Sequence, residues 1–187
     1  MNKIIHRSVS LHCDVYQAFD MFTRAELVQT WLAPVAEVMP MVSGKYELYW
    51  DMDEGSRKGR TKRHSASTLQ RNNTAGCKIT AVEPGKLLSF EWKGPEQFEF
   101  MNEADPLTHV VVYFQASSSG PIPQTTVHFI HSGWHNTHEW DAARRWFEVF
   151  WSNAFERLDK QLGLLADNNI QHRIRGMRYT LPTRLQP

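Results

Sequence analysis

The spacing of apolar and polar residues divides the chain into three stretches. Residues 4–11 alternate over a short run of β-formers and predict a strand. Asp14 is then placed to cap a helix, with Gln17 three residues on and Val15, Phe19 and Phe22 along one face. Thr23 with Glu26 repeats that signature and predicts a second short helix to about residue 30. Trp31-Leu32-Ala33-Pro34 closes it, because the residue before a proline is pushed out of the helical region. Between 35 and 133 the period changes to two. Strands are predicted at 35–39, 45–50, 77–82, 87–92, 109–116 and 125–131, separated by Ser43-Gly44, Glu83-Pro84-Gly85 and a serine-rich turn ending in Gly120-Pro121. The connections are short, so the sheet is antiparallel. The last element is the clearest. Trp140, Ala143, Phe147, Phe150, Trp151, Ala154, Leu158 and Leu162 form a helical stripe, with Asn136 as the expected cap and Gly163 as the expected stop.

One strand, two short helices, six strands and a long helix make an α+β chain. An antiparallel sheet of about seven strands crossed by the long C-terminal helix is the expected architecture. The 187 residues suit one domain, and 41% hydrophobic content supplies a full core. The mean hydropathy of −0.49 and the absence of a long apolar run argue against a membrane span. The first residues have no apolar leader, and Cys13 and Cys77 lack CxxC spacing, so a reduced cytoplasmic setting is expected without a disulfide framework.

The net charge of +1 hides an uneven distribution. Residues 56–73 carry +6, residues 168–187 carry +4, and the remaining body carries −9. The positive field therefore sits on an expected loop and an expected tail, and Arg57–Arg63 has no interleaved aromatics for base stacking. Neither a nucleic-acid nor a membrane partner is expected. Residues 1–165 form the expected domain, with 56–74 as a basic loop insertion and 166–187 as a basic polar tail.

No phosphate-loop, nucleophile-elbow or zinc-protease motif is present. His128, His131, His135 and His138 are the most metal-like cluster. His128 and His131 are three apart on one strand and point to opposite faces, so no metal is expected. His131 shares the parity of Phe129 and faces inward, which makes it the one candidate acid or base. Glu91, Asp51 and Asp53 are the carboxylates considered as its partners.

Three groups of residues carry a resemblance. Phe22-Thr23 with Trp31-Leu32-Ala33-Pro34, Ser43-Gly44-Lys45-Tyr46, and His131-Ser132-Gly133-Trp134 with Glu139-Trp140-Asp141 and Trp151 occur in this order. Gly76-Cys77-Lys78 and 84–92 fit the hairpin between them. Together they resemble the family of activators of the ninety-kilodalton heat-shock protein ATPase, in the START-like (SRPBCC) superfamily with its helix-grip fold. The chain departs from that pattern in its longer, more basic 57–74 stretch and its tail after Leu165.

The resemblance implies a cavity between sheet and long helix that holds a small hydrophobic molecule, with no cofactor. Trp31, Trp50, Phe90, Trp92, Val112, Phe114, Phe129, His131, Phe147, Phe150, Trp151 and Ala154 are the expected lining. Two other functions fit the same residues: a protein-interaction module that regulates a chaperone, as monomer or homodimer, and a small cyclase or lyase using His131.

Overall fold

The computed structural model describes residues 3–50, 72–117 and 123–178, with side chains as far as Asp167. Element order is β1 (Ile5–Leu11), α1 (Val15–Thr23), α2 (Ala25–Trp31), β2 (Val35–Val38), β3 (Tyr46–Tyr49), β4 (Ile79–Glu83), β5 (Leu87–Trp92), a 3-10 segment (Glu96–Glu103), β6 (Thr108–Ser117), β7 (Gln124–Ser132) and α3 (His138–Arg178). The seven strands divide between two sheets. The large one has the order β1-β7-β6-β5-β4, and β2 pairs with β3 alone. Isolated bridges Lys45↔Lys78 and Tyr49↔Asn73 tie the small sheet to the chain leading into β4. Thr74 strengthens the tie: its buried hydroxyl accepts from the Leu48 N–H at 2.9 Å and donates to the Tyr46 carbonyl at 3.0 Å.

Asp14 caps α1 as expected, its carboxylate accepting from the N–H groups of Tyr16 and Gln17, both at 2.9 Å. The second capping signature does not form. The Thr23 hydroxyl donates back to the Phe19 carbonyl, so Thr23 is the last residue of α1, and α2 starts from Arg24 with no side-chain cap. A threonine hydroxyl has the choice of the preceding or the following helix, and burial here selects the preceding one. At the start of α3 the cap is Thr137 rather than Asn136: its hydroxyl and carbonyl accept from Trp140 and Asp141.

Gly163 does not stop α3, which runs to Arg178 as a helix of 41 residues. Glycine costs a helix only about 1 kcal/mol relative to alanine, and helix-forming residues follow it. Part of the expected tail thus continues the helix, while the basic loop centred on Arg57–Arg63 lies outside the described residues.

The core sits between the inner face of the large sheet, α1, α2 and the buried stripe of α3. Phe22 packs edge-on against Trp31 and Phe114, Tyr46 stacks on Phe90 at 3.8 Å, and Phe129 lies 4.4 Å from Trp151. Indole and phenol groups in this core find backbone acceptors, Trp31 on Met21 and Tyr46 on Phe22. Arg157 reaches from α3 to the Trp31 carbonyl at 2.7 Å and locks the long helix onto α2. Ala154 is fully buried among these elements. An Ala154→Phe substitution is therefore expected to overpack the core and cost about 1–3 kcal/mol, measured by urea denaturation. An unchanged midpoint would place free volume beside α3 where the structure has side chains.

Candidate functional site

At one end of the sheet the packing is incomplete. Trp50 follows β3, Trp92 ends β5, and both face Trp146, Phe147 and Phe150 on α3. Together with Pro95 they bound a cavity of about 470 Å³. The polar part of its wall is Asn72, Asn73, Lys93, Glu96 and Gln97. The volume lies within the range of small-molecule sites, which are concave, mostly apolar and edged by a few polar groups.

The aromatic wall is cross-braced. Trp146 stacks on Phe150 with centroids 5.4 Å apart, and Trp50 meets Phe150 and Trp92 edge-on at 6.0 and 5.9 Å. The Trp50 indole donates to the Leu32 carbonyl at 2.9 Å, which fixes its ring against the end of α2. The remaining wall comes from the chain between β5 and β6. Asn102 clamps the start of this segment by accepting from the Gly94 N–H and donating to the Gly94 carbonyl. A Cβ at position 94 would fall 2.7 Å from the Phe98 carbonyl oxygen and 2.9 Å from the Met101 sulfur, so this close approach requires glycine. The Glu96 N–H donates to Asn72 Oδ1 and the Trp50 N–H to the Asn72 carbonyl, joining the two polar walls.

Of the twelve residues expected to line a cavity, Trp50, Trp92, Phe147 and Phe150 do so. Trp31, Phe90, Val112, Phe114, Phe129, Trp151 and Ala154 are buried in the core, with ring packed against ring, and do not bound this cavity. His131 belongs with this second group. The sequence pattern misses Trp146, which stands four residues before Phe150 and is found by the helical repeat alone. It also misses the 93–97 wall, whose Gly94-Pro95 punctuation marks a turn but has no periodicity to show which way it faces.

His131 is fully buried and faces inward from β7, opposite Ile5 on β1 and Val110 on β6. Its Nδ1 accepts from the Trp151 indole at 3.1 Å, and its carbonyl accepts from the Trp134 indole at 3.0 Å. Trp92, Trp134 and Phe147 surround the ring. Loss of hydration, with a smaller contribution from His109, pushes its pKa down to about 3. The imidazole is thus neutral, and because Nδ1 is an acceptor the proton is on Nε2. Nε2 has no hydrogen-bond partner among the described residues. Glu91 lies on the outward face of β5, where it accepts the Lys78 N–H, and Asp51 and Asp53 lie outside the described residues.

His128 points to the opposite face, beside Ser8 and His6, while His135 stacks on Trp140. Among the described residues no three metal-ligating side chains converge. Cys13 and Cys77 are free and buried, each thiol pushed up to about 12 chiefly by burial. Among the described residues no helix is long and apolar enough to cross a membrane.

A curved antiparallel sheet wrapped on one long helix, with a cavity where the two part, defines a helix-grip protein. The model of the family described as "Activator of Hsp90 ATPase homolog 1-like protein" matches residues 12–163, and the chain belongs to that family. Solved structures share the fold at low identity. A Plasmodium falciparum protein described as an HSP90 activator aligns at 16% identity and a TM-score of 0.58, covering 86% of this chain and 96% of that one. A Mesorhizobium loti protein aligns at 17% identity and a TM-score of 0.58 over the same shares of the two chains. The Aha1 dimer of Colwellia psychrerythraea aligns at 16% identity and a TM-score of 0.51, covering 84% and 96%. No curated protein sequence matches the chain.

Proposed function

We propose that the chain binds a small, largely apolar molecule in the cavity between the ends of β3 and β5 and the middle of α3. The observation that carries this reading is the aromatic wall. Three tryptophans and two phenylalanines face one volume that no described side chain fills, beside a wall of amides and charged groups. Large rigid rings bury much apolar surface at small entropic cost, and they suit a flat or ring-containing ligand. The polar wall supplies donors and acceptors that orient one end of such a molecule.

Trp146 gives the test. It is 38% exposed, so its removal takes away a wall of the cavity without opening the core. Trp146→Ala is expected to weaken binding of the neutral fluorescent probe N-phenyl-1-naphthylamine at least about tenfold while changing stability by no more than about 1 kcal/mol. A fluorescence titration with a matched thermal melt measures both. Failure of the wild type to bind the probe or any co-purifying apolar molecule in native mass spectrometry would remove the ligand-binding reading.

Membership of the family and the likeness to a protein described as an HSP90 activator support a second reading, a module that acts on a chaperone ATPase. It is tested by the ATPase rate of a purified chaperone with and without the chain. His131 has a structural place in both readings, as the acceptor that satisfies the Trp151 indole.

A further inference from the structure

Trp31, Trp50, Trp134 and Trp151 each direct the indole N–H to a backbone carbonyl or to His131 Nδ1, at 2.8–3.1 Å. Trp92 differs. It is 1% exposed, and its Nε1 has no hydrogen-bond partner among the described residues. An indole nitrogen only donates, so nothing but an acceptor satisfies it. The rings around Trp92 are those of Trp50, Phe90, His131, Phe147, Phe150 and Trp151. Only His131 among them has an acceptor nitrogen, and Trp151 already uses it. A buried donor in this state has lost the hydrogen bonds that water gives it in the unfolded chain, and folded proteins contain few such groups.

Trp92 also forms part of the cavity wall, so the unsatisfied donor belongs to a residue that a ligand there touches. We propose that the ligand of this cavity carries an uncharged carbonyl oxygen, which accepts the hydrogen bond of Trp92 Nε1. The inference rests on the ligand-binding reading and adds what the ligand presents. The wall selects a neutral acceptor over an anion. Lys93, the one ammonium among the described wall residues, donates to the Ala75 carbonyl at 2.5 Å, while Glu96 sets a carboxylate on the same wall. An anionic oxygen would meet that carboxylate, and burying a charge without a counter-charge is costly. A carbonyl needs only the donor.

The rings around the nitrogen cover it. Two of them, Trp50 and Phe150, also line the cavity and are only half-buried. A ligand reaches Nε1 by parting these two rings, which costs contacts that a hydrocarbon does not replace and a hydrogen-bonded carbonyl does. Trp92 is thereby the residue that sets specificity. A site built around a buried donor rejects the analogue that lacks the acceptor.

A matched pair of compounds tests this. 2-Acetylnaphthalene and 2-isopropenylnaphthalene share one shape and differ by a carbonyl oxygen against a methylene carbon. Their affinities for the full chain are measured by displacement of N-phenyl-1-naphthylamine. The ketone is expected to bind at least about tenfold more tightly, although hydrophobicity alone favours the alkene. Trp92→Phe is expected to abolish that preference. Because a smaller ring in the core can cost the fold, the chain with benzothienylalanine in place of Trp92 is measured beside it. There sulfur replaces N–H at nearly unchanged shape, and the preference is expected to vanish with the thermal melt unchanged. A ketone that binds no more tightly than the alkene, or a preference that survives loss of the N–H, would overturn the inference and leave the ligand-binding reading standing. A wild type that binds neither the probe nor either naphthalene would overturn that reading, and the inference with it.

Discussion

Trp151→Ala is expected to lower the unfolding free energy by about 3–5 kcal/mol, the range for removing a large aromatic side chain from a packed core. Trp151 is 1% exposed and sits midway along the buried stripe of α3, against Trp92, Phe129 and Phe155. Trp92 and Phe129 are held by strands and Phe155 by α3 itself, so the rings cannot all move in to close the gap and a cavity remains. A second loss adds to it. The indole is the hydrogen-bond donor to His131 Nδ1, and its removal leaves a buried acceptor unpaired. Trp151→Phe keeps most of the volume and loses the donor, so it is expected to fall between wild type and alanine. Urea denaturation of the three proteins separates the packing loss from the polar one. A cost below about 1 kcal/mol for the alanine variant would mean that the helix face is packed differently from the structure.

Acidification is expected to destabilise the protein through His131. Burial lowers its folded pKa from the ordinary 6.5 to about 3. The unfolded chain therefore binds a proton between these values and the folded chain does not. Stability contributed by the neutral imidazole is complete above about pH 6.5 and falls as the pH drops toward 3, with a slope approaching 1.4 kcal/mol per pH unit, or on the order of 4 kcal/mol across the window. Below the folded pKa the loss levels off. His131→Gln offers an acceptor to Trp151 without a titrating group. The difference in unfolding free energy between wild type and this variant, measured from pH 7.5 down to 4, isolates the residue from carboxylates and from His109, whose pKa burial also lowers. The wild-type advantage is expected to shrink steadily on acidification. A pH-independent difference would show that His131 is protonated equally in both states.

Together with the Ala154→Phe and Trp146→Ala experiments, these measurements divide the space between sheet and helix into a filled part and an open part. That division was only half legible in the sequence. The alternation through Leu88, Phe90 and Trp92, and the repeat through Trp140, Phe147 and Trp151, identify which side of each element is buried. They do so because burial imposes the period of the backbone on the side chains. The fold class follows from the same patterns and from short connections. His131 facing inward follows from its parity with Phe129.

What those patterns leave open is how two buried sides meet. Phe90 and Trp92 have the same period and neighbouring places on β5, yet Phe90 lies under Tyr46 in the core while Trp92 reaches the cavity. Trp146 lies off the stripe and still forms part of the aromatic wall, since the 3-10 segment brings Phe98 and Pro95 up to it. The capping hydroxyl of Thr23 and the glycine at 163 are likewise local signals with two permitted outcomes, and the surroundings chose between them. The sequence by itself determined the elements, their order and the sides they bury, because these follow from backbone periodicity and local hydrogen bonding. The tertiary structure alone decided where the core closes and where it stays open, because that depends on the distances between rings carried by strands and helices far apart in the chain.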